Sequence, residues 1–95
     1  IKKHLELYLE HGWEPQTRNL GKPLLYAMTE TGDPNSYVHV WVYEDAADRA
    51  KKRAAMQADP AWQNYLKISA EAGYLEKQQN KILMPAPFFD AKWPA

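Results

Sequence analysis

The chain of 95 residues contains no cysteine. That absence removes disulfide scaffolds, thiolate metal sites and cysteine nucleophiles together. Net charge is lacking too, since 12 basic residues balance 12 acidic ones. A nucleic-acid surface ordinarily carries a basic stripe that releases counterions from phosphate. The densest basic cluster, Arg49, Lys51, Lys52 and Arg53, lies beside Asp45 and Asp48, so no nucleic-acid partner is expected. No apolar run approaches the roughly 20 residues that cross a bilayer, and no signal-peptide pattern is present. No membrane span is therefore expected, and the cytoplasm is the default location.

Glycine is scarce, at 4 residues, and no Gly-rich phosphate loop can be found. The histidines do not form a metal motif: His4 and His11 fall on one helical segment and His39 lies elsewhere, with no recognised ligand spacing. No metal site and no cofactor are expected. A nucleophile elbow and a distinctive carboxylate pair are also absent.

Aromatic residues are what the chain has in quantity. Four tryptophans, six tyrosines and two phenylalanines make up 13% of it. Such rings combine large apolar area with a polar edge and favour cores, clefts and interfaces. Apolar residues reach 45%, enough for one small domain with a thin core.

Ile1, Leu5, Tyr8 and Leu9 form an apolar stripe at helical spacing, and Gly12 is the expected left-handed stop. Residues 13–23 read as a loop broken by Pro15, Asn19, Gly21 and Pro23. Leu24 to Glu30 reads as a strand, the segment from Thr31 to Asn35 as a turn, and Ser36 to Glu44 as a second strand. Together they predict an antiparallel hairpin with Tyr37, His39, Trp41 and Tyr43 on one face and Val38, Val40 and Val42 on the other. Asp45 caps a helix in which Ala47, Ala50, Ala54 and Ala58 form a small-residue stripe suited to close approach on a sheet. Asp59 and Pro60 start a further helix, with Trp62, Tyr65, Leu66 and Ser69 inward and Gly73 at its end. Tyr74 to Met84 reads as a last strand, and Phe88 and Phe89 in the following tail need covering.

This order, with one strand added in front, is β-α-β-β-α-β, the ferredoxin-like split βαβ of the α+β class. The first strand is missing from this chain, and without it neighbouring strand edges would stand open. Truncation is preferred over a strand supplied by another chain. The expected division is a domain over residues 1–89 and a tail over 90–95.

The run Tyr37-Val38-His39-Val40-Trp41-Val42-Tyr43-Glu44, then Asp48-Arg49 and Lys52-Arg53, then Ala58-Asp59-Pro60 through Trp62-Gln63 and Tyr65-Leu66, resembles the NIPSNAP family. Arg18-Asn19-Leu20-Gly21 and the stretch from Asn80-Lys81-Ile82-Leu83 to Pro87-Phe88 agree with it, so the resemblance spans about residues 4–89. Phe89-Asp90 departs from it, a small polar residue more often following the phenylalanine. The resemblance implies a dimeric α/β-barrel in which two ferredoxin-like sheets pack face to face. It supplies no established catalytic set. Related barrels include cofactor-free monooxygenases, isomerases and haem-handling enzymes, an analogy of fold alone.

Among candidate site residues, His39 comes first, because a partly desolvated imidazole stays neutral and can take a proton. The competing reading is a hydrogen-bonded histidine within an aromatic layer. Arg49 and Arg53 present forks that match a carboxylate or phosphate, or else pair with nearby surface acids. Trp62, Tyr65 and Tyr8 read first as core, although the start of Trp62's helix could receive an anion. The candidate ligand set is Tyr37, His39, Trp41, Tyr43, Arg49 and Trp62, with His39 the candidate catalytic residue. The leading expectation is a homodimeric domain that holds a small apolar or aromatic molecule between sheet and helices. Its rivals are a cofactor-free monooxygenase or isomerase acting on a phenolic or enolisable metabolite, with Arg49 as anion stabiliser, and an adaptor with no ligand.

Overall fold

The computed structural model describes residues 1–89, so the expected tail over 90–95 lies outside the described residues. Among the described residues, four helices and two strands follow in the order α1 (Lys2–His11), α2 (Trp13–Leu20), β1 (Leu25–Met28), β2 (Tyr37–Val40), α3 (Ala46–Ala58) and α4 (Pro60–Ala72). The class is α+β, with one antiparallel hairpin packed against helices.

Local chemistry sets most of these boundaries. Asp45 accepts the Asp48 backbone N–H at 2.7 Å and starts α3. Asp59 does the same for α4 through the Ala61 N–H at 2.9 Å, with Pro60 at the first helical position, where no N–H is needed. Gly73, at φ 67°, closes α4 in the left-handed region. Gly12 corrects the sequence reading: its φ of −108° is right-handed, and the chain passes through it directly from α1 into α2. Glycine is needed there for space, because a Cβ would come within 2.8 Å of the Tyr8 ring and 2.9 Å of the Tyr65 ring.

The expected loop over residues 13–23 is replaced as far as Leu20 by α2. Pro15 falls in its first turn, where a missing donor costs no intrahelical bond. Glu14 and Arg18 pair across one turn of its surface. The register places Leu25 opposite Val40, Tyr26 opposite His39, Ala27 opposite Val38 and Met28 opposite Tyr37. The ladder ends sooner than expected because the register would next bring Pro23 opposite Val42, and proline has no N–H to give. Trp41 and Tyr43 therefore continue from β2 without being paired strand.

The core consists of Tyr8, Leu20, Met56, Trp62 and Tyr65, with Leu7, Tyr26, Trp41 and Tyr43 packed on it. Three expectations about faces are corrected. Ala47, Ala50, Ala54 and Ala58 lie in solvent, and α3 instead turns Met56 and half-buried Lys52 and Arg53 inward. Alanine loses little by exposure, whereas long basic side chains cover apolar surface with their stems. Leu9 and Leu66 are exposed, while His4 is the fully buried side chain of α1. Among the described residues, 74–84 forms no ladder, and Ile82, Leu83, Met84, Phe88 and Phe89 remain exposed. Glu76 to Lys81 is an unbroken polar run with nothing to bury, and Leu75 and Gln78 settle beside Leu66 and Ser69 of α4.

Candidate functional site

Alternation along the hairpin places Tyr26, Tyr37 and His39 on the face that meets the helices. Their rings join those of α1 and α2 in a continuous series. Tyr8 stacks on Tyr26 at 5.0 Å between centroids, and Tyr26 stacks on Tyr37 at 5.6 Å. Tyr37 in turn stacks on His4 at 5.3 Å, its hydroxyl 3.1 Å from His4 Nε2. Trp13 meets Tyr8 and Tyr26 edge-on, and Tyr65 meets Tyr8 edge-on. Offset and edge-to-face contacts of this kind are the favoured geometries of aromatic pairs.

His39 lies edge-on to Tyr26 at 5.1 Å and to Trp41 at 6.0 Å. The Trp41 indole N–H donates to His39 Nδ1 at 2.9 Å. A neutral imidazole accepts at only one nitrogen, so this bond fixes the His39 proton on Nε2. Burial holds both His4 and His39 below the ordinary histidine pKa. Burial likewise pushes the Tyr8, Tyr26, Tyr37 and Tyr65 hydroxyls above the ordinary tyrosine value. At neutral pH the ring cluster is consequently uncharged.

Of the remaining candidates, Trp62 joins the ring series through Tyr65, whereas Tyr43 and Arg49 are not part of it. Trp62 is buried in the core at 4.9 Å from Tyr65. Tyr43 packs on the core, with Lys52 Nζ 6.0 Å from its ring centroid. Arg49 sits half-buried in the first turn of α3, its backbone N–H donating to the Asp45 carbonyl at 3.1 Å. Among the described residues neither Arg49 nor Arg53 enters an ion pair. The structure thus gathers Tyr37, His39 and Trp41 together, links Trp62 to the ring series through Tyr65, and leaves Tyr43 and Arg49 outside it. Among the described residues no cluster of His, Asp or Glu has metal-binding geometry, and no helix is long and apolar enough to cross a membrane.

An apolar groove of about 310 Å³ opens between α1 and the edge of β1. Tyr8, Trp13 and Tyr26 form its wall, and Leu5, Leu9 and Met28 its rim. Leu9 and Met28 are 68% and 64% exposed. Sequence reasoning had placed Tyr8 in the core and missed Tyr26 and His4. The i, i+4 spacing of His4 and Tyr8 on the inward stripe was the available signal for the latter.

The motifs at the two ends of the helical layer also meet. Arg18 and the Asn19 side-chain amide both donate to Asp59 Oδ2, the amide at 2.9 Å. The Arg18 bond is the main reason that the Asp59 carboxyl stays below the usual carboxylate range. This contact joins Arg18-Asn19-Leu20-Gly21 to Ala58-Asp59-Pro60, two stretches that carried the family resemblance. The NIPSNAP family profile matches residues 2–90. The chain belongs to the NIPSNAP family.

Solved NIPSNAP relatives have the same fold. A family protein with unknown function from Agrobacterium tumefaciens is 35% identical, with a TM-score of 0.82 over 94% of this chain and 78% of that one. An uncharacterised NIPSNAP domain protein from Burkholderia xenovorans is 30% identical, with a TM-score of 0.82 over 94% of this chain and 84% of its own. A NIPSNAP-like domain protein from the same species is 36% identical, with a TM-score of 0.81, covering 94% and 76% respectively. No functionally curated protein matches the chain.

Proposed function

We propose that this NIPSNAP domain is a binding module for a small, uncharged apolar or aromatic molecule, held in the groove between α1 and β1. The observation that carries the reading is the groove itself: open, walled by Tyr8, Trp13 and Tyr26, and rimmed by exposed Leu9 and Met28. Its volume falls at the lower end of the roughly 300–1,000 Å³ typical of small-molecule sites. The neutral ring cluster behind it favours an uncharged ligand over an anion. Tyr37, His39 and Trp41 continue the ring series beyond Tyr26 and lie outside the lining of the groove. Arg49, Tyr43 and Trp62 support the fold around it.

A homodimer accompanies this reading. The outward face of the hairpin carries Val38 at 52% and Leu25 at 45% exposure, an apolar pair on the side opposite the helices. A second copy laid face to face on it would bury that pair and build the barrel expected of the family. Val38→Lys should shift the assembly from dimer to monomer in analytical ultracentrifugation, and an unchanged sedimentation profile would refute this contact.

The enzymatic alternative fits less well. A general base needs a free lone pair facing the substrate, whereas Trp41 occupies Nδ1 and the remaining nitrogen of His39 carries the proton. Calorimetric titration with 1-naphthol tests the binding reading. Leu9→Glu and Met28→Glu should abolish binding while leaving the melting temperature unchanged, and an affinity in both variants equal to that of the unsubstituted protein would reject the groove.

A further inference from the structure

A series of ring contacts, edge-on at Trp13 and stacked from Tyr8 onward, runs from the surface to a buried base. Trp13 lies 6.2 Å from Tyr8 and 6.4 Å from Tyr26 between centroids. Tyr8 and Tyr26 are 5.0 Å apart with their planes at 18°, and Tyr26 and Tyr37 are 5.6 Å apart at 12°. Beyond Tyr37 stands His4, with its Nε2 3.1 Å from the hydroxyl. Indoles and phenols are the side chains most easily oxidised by one electron when cysteine is absent. Ring contacts at these separations, edge-on or stacked, let an electron vacancy pass from ring to ring.

We propose that Trp13, Tyr26, Tyr37 and His4 form a sink for one-electron oxidants of the carbonate-radical class, with the oxidising equivalent coming to rest on Tyr37. The oxidant gains one electron from the Trp13 indole at the surface and becomes its closed-shell anion. An electron from Tyr37, passed by way of Tyr26, restores the indole. The Tyr37 O–H bond breaks, its proton forms an N–H bond at His4 Nε2, and a neutral tyrosyl faces an imidazolium. The protein has then lost one electron and no atom.

Tyr37 is the resting place because an oxidised phenol is a strong acid and needs a base within hydrogen-bonding distance. Tyr8 has the amide oxygen of Gln16 in that position, which is not a base. Tyr43 has an ammonium near its ring, which opposes a positive vacancy. Burial keeps His4 unprotonated near neutrality and therefore able to accept. The ligand reading above is independent of this chemistry.

The test is flash-quench oxidation of the full chain by trivalent tris(bipyridine)ruthenium, followed by electron paramagnetic resonance. Samples with tyrosine and with 3-fluorotyrosine at position 37 are compared. The expected result is a tyrosyl signal that gains a fluorine splitting in the labelled protein. Trp13→Phe should lower its yield, and His4→Gln, which keeps a hydrogen-bonding side chain without a comparable base, should shorten its lifetime. A signal with no fluorine splitting, or an indolyl signal alone, would overturn the proposal. An unchanged lifetime in His4→Gln would overturn the part given to His4.

Discussion

Tyr26 of β1 and His39 of β2 stand directly opposite each other in the hairpin, their ring centroids 5.1 Å apart and their planes at 63°. The ladder sets this relationship, and Trp41 completes it by donating its indole N–H to His39 Nδ1 at 2.9 Å. Protonation would place a second N–H at Nδ1 and expel that bond. Trp41→Phe should therefore raise the His39 pKa toward the ordinary value, as followed by NMR titration of its ring protons. An unchanged or lower value would show that the indole bond does not hold the imidazole neutral.

Stability should fall on mild acidification. The folded-state pKa values of His4 and His39 lie below the reference of 6.5, burial being the main cause for each. The unfolded chain consequently binds more protons just below that reference, and stability rises with pH there. The contribution is complete above pH 6.5 and is lost as the pH falls through the lower folded values. Urea denaturation at about pH 7.5 and about pH 5 reads the difference directly. His39→Gln should reduce it. Asp48 and Asp59 have lowered pKa values as well, set first by the hydrogen bond from the Glu44 backbone and by Arg18 respectively. Their contributions disappear in more acidic solution, as the carboxylates take up protons.

Gly12 and Gly73 should respond to alanine for different reasons. A Cβ at Gly12 meets Tyr8 at 2.8 Å and Tyr65 at 2.9 Å, so Gly12→Ala overpacks the core by about 1–3 kcal/mol. Around Gly73 the space is open, but its φ of 67° is left-handed, costing Gly73→Ala about 1–2 kcal/mol. Relieving the contact with Tyr65→Leu should rescue part of the first loss and none of the second. The measurement is a double-mutant cycle by denaturation.

Trp62 separates the fold from the site. It is buried against Tyr65 and belongs to the core, so Trp62→Ala should destabilise the domain by about 3–5 kcal/mol. Arg49→Ala should leave affinity for the aromatic probe unchanged, since its guanidinium lies away from the groove wall. A large loss of affinity in Arg49→Ala would return that residue to the binding surface.

The elements that the sequence made legible are those encoded within a few residues. Asp45 and Asp59 cap their helices by contacts two or three residues away, and alternation groups Tyr37, His39, Trp41 and Tyr43 on one face of the second strand without deciding whether that face meets the helices. What escaped depends on partners distant in the chain. Pro15 hid α2, because proline marks a break except in a helix's first turn, and the Glu14–Arg18 spacing was the compensating signal. The alanines of α3 suggested a packed face, but only the three-dimensional arrangement shows that Lys52, Arg53 and Met56 occupy it. The expected strand over 74–84 rested on Ile82, Leu83 and Met84, and apolar residues at one end do not pair a segment whose middle, Glu76 to Lys81, is polar throughout. At the site, alternation grouped only the rings that β2 supplies, Tyr37 and His39. The part from α1 and β1, His4 and Tyr26, requires the helix to be docked before it can be seen.

The most direct test of the proposed groove is an NMR titration with 1-naphthol that follows the indole N–H resonances. Trp13 lines the groove, whereas Trp62 is buried in the core. The expected result is a saturable shift of the Trp13 resonance while that of Trp62 stays in place. A Trp13 resonance that does not move, or one that moves no more than Trp62, would contradict a ligand site between α1 and β1.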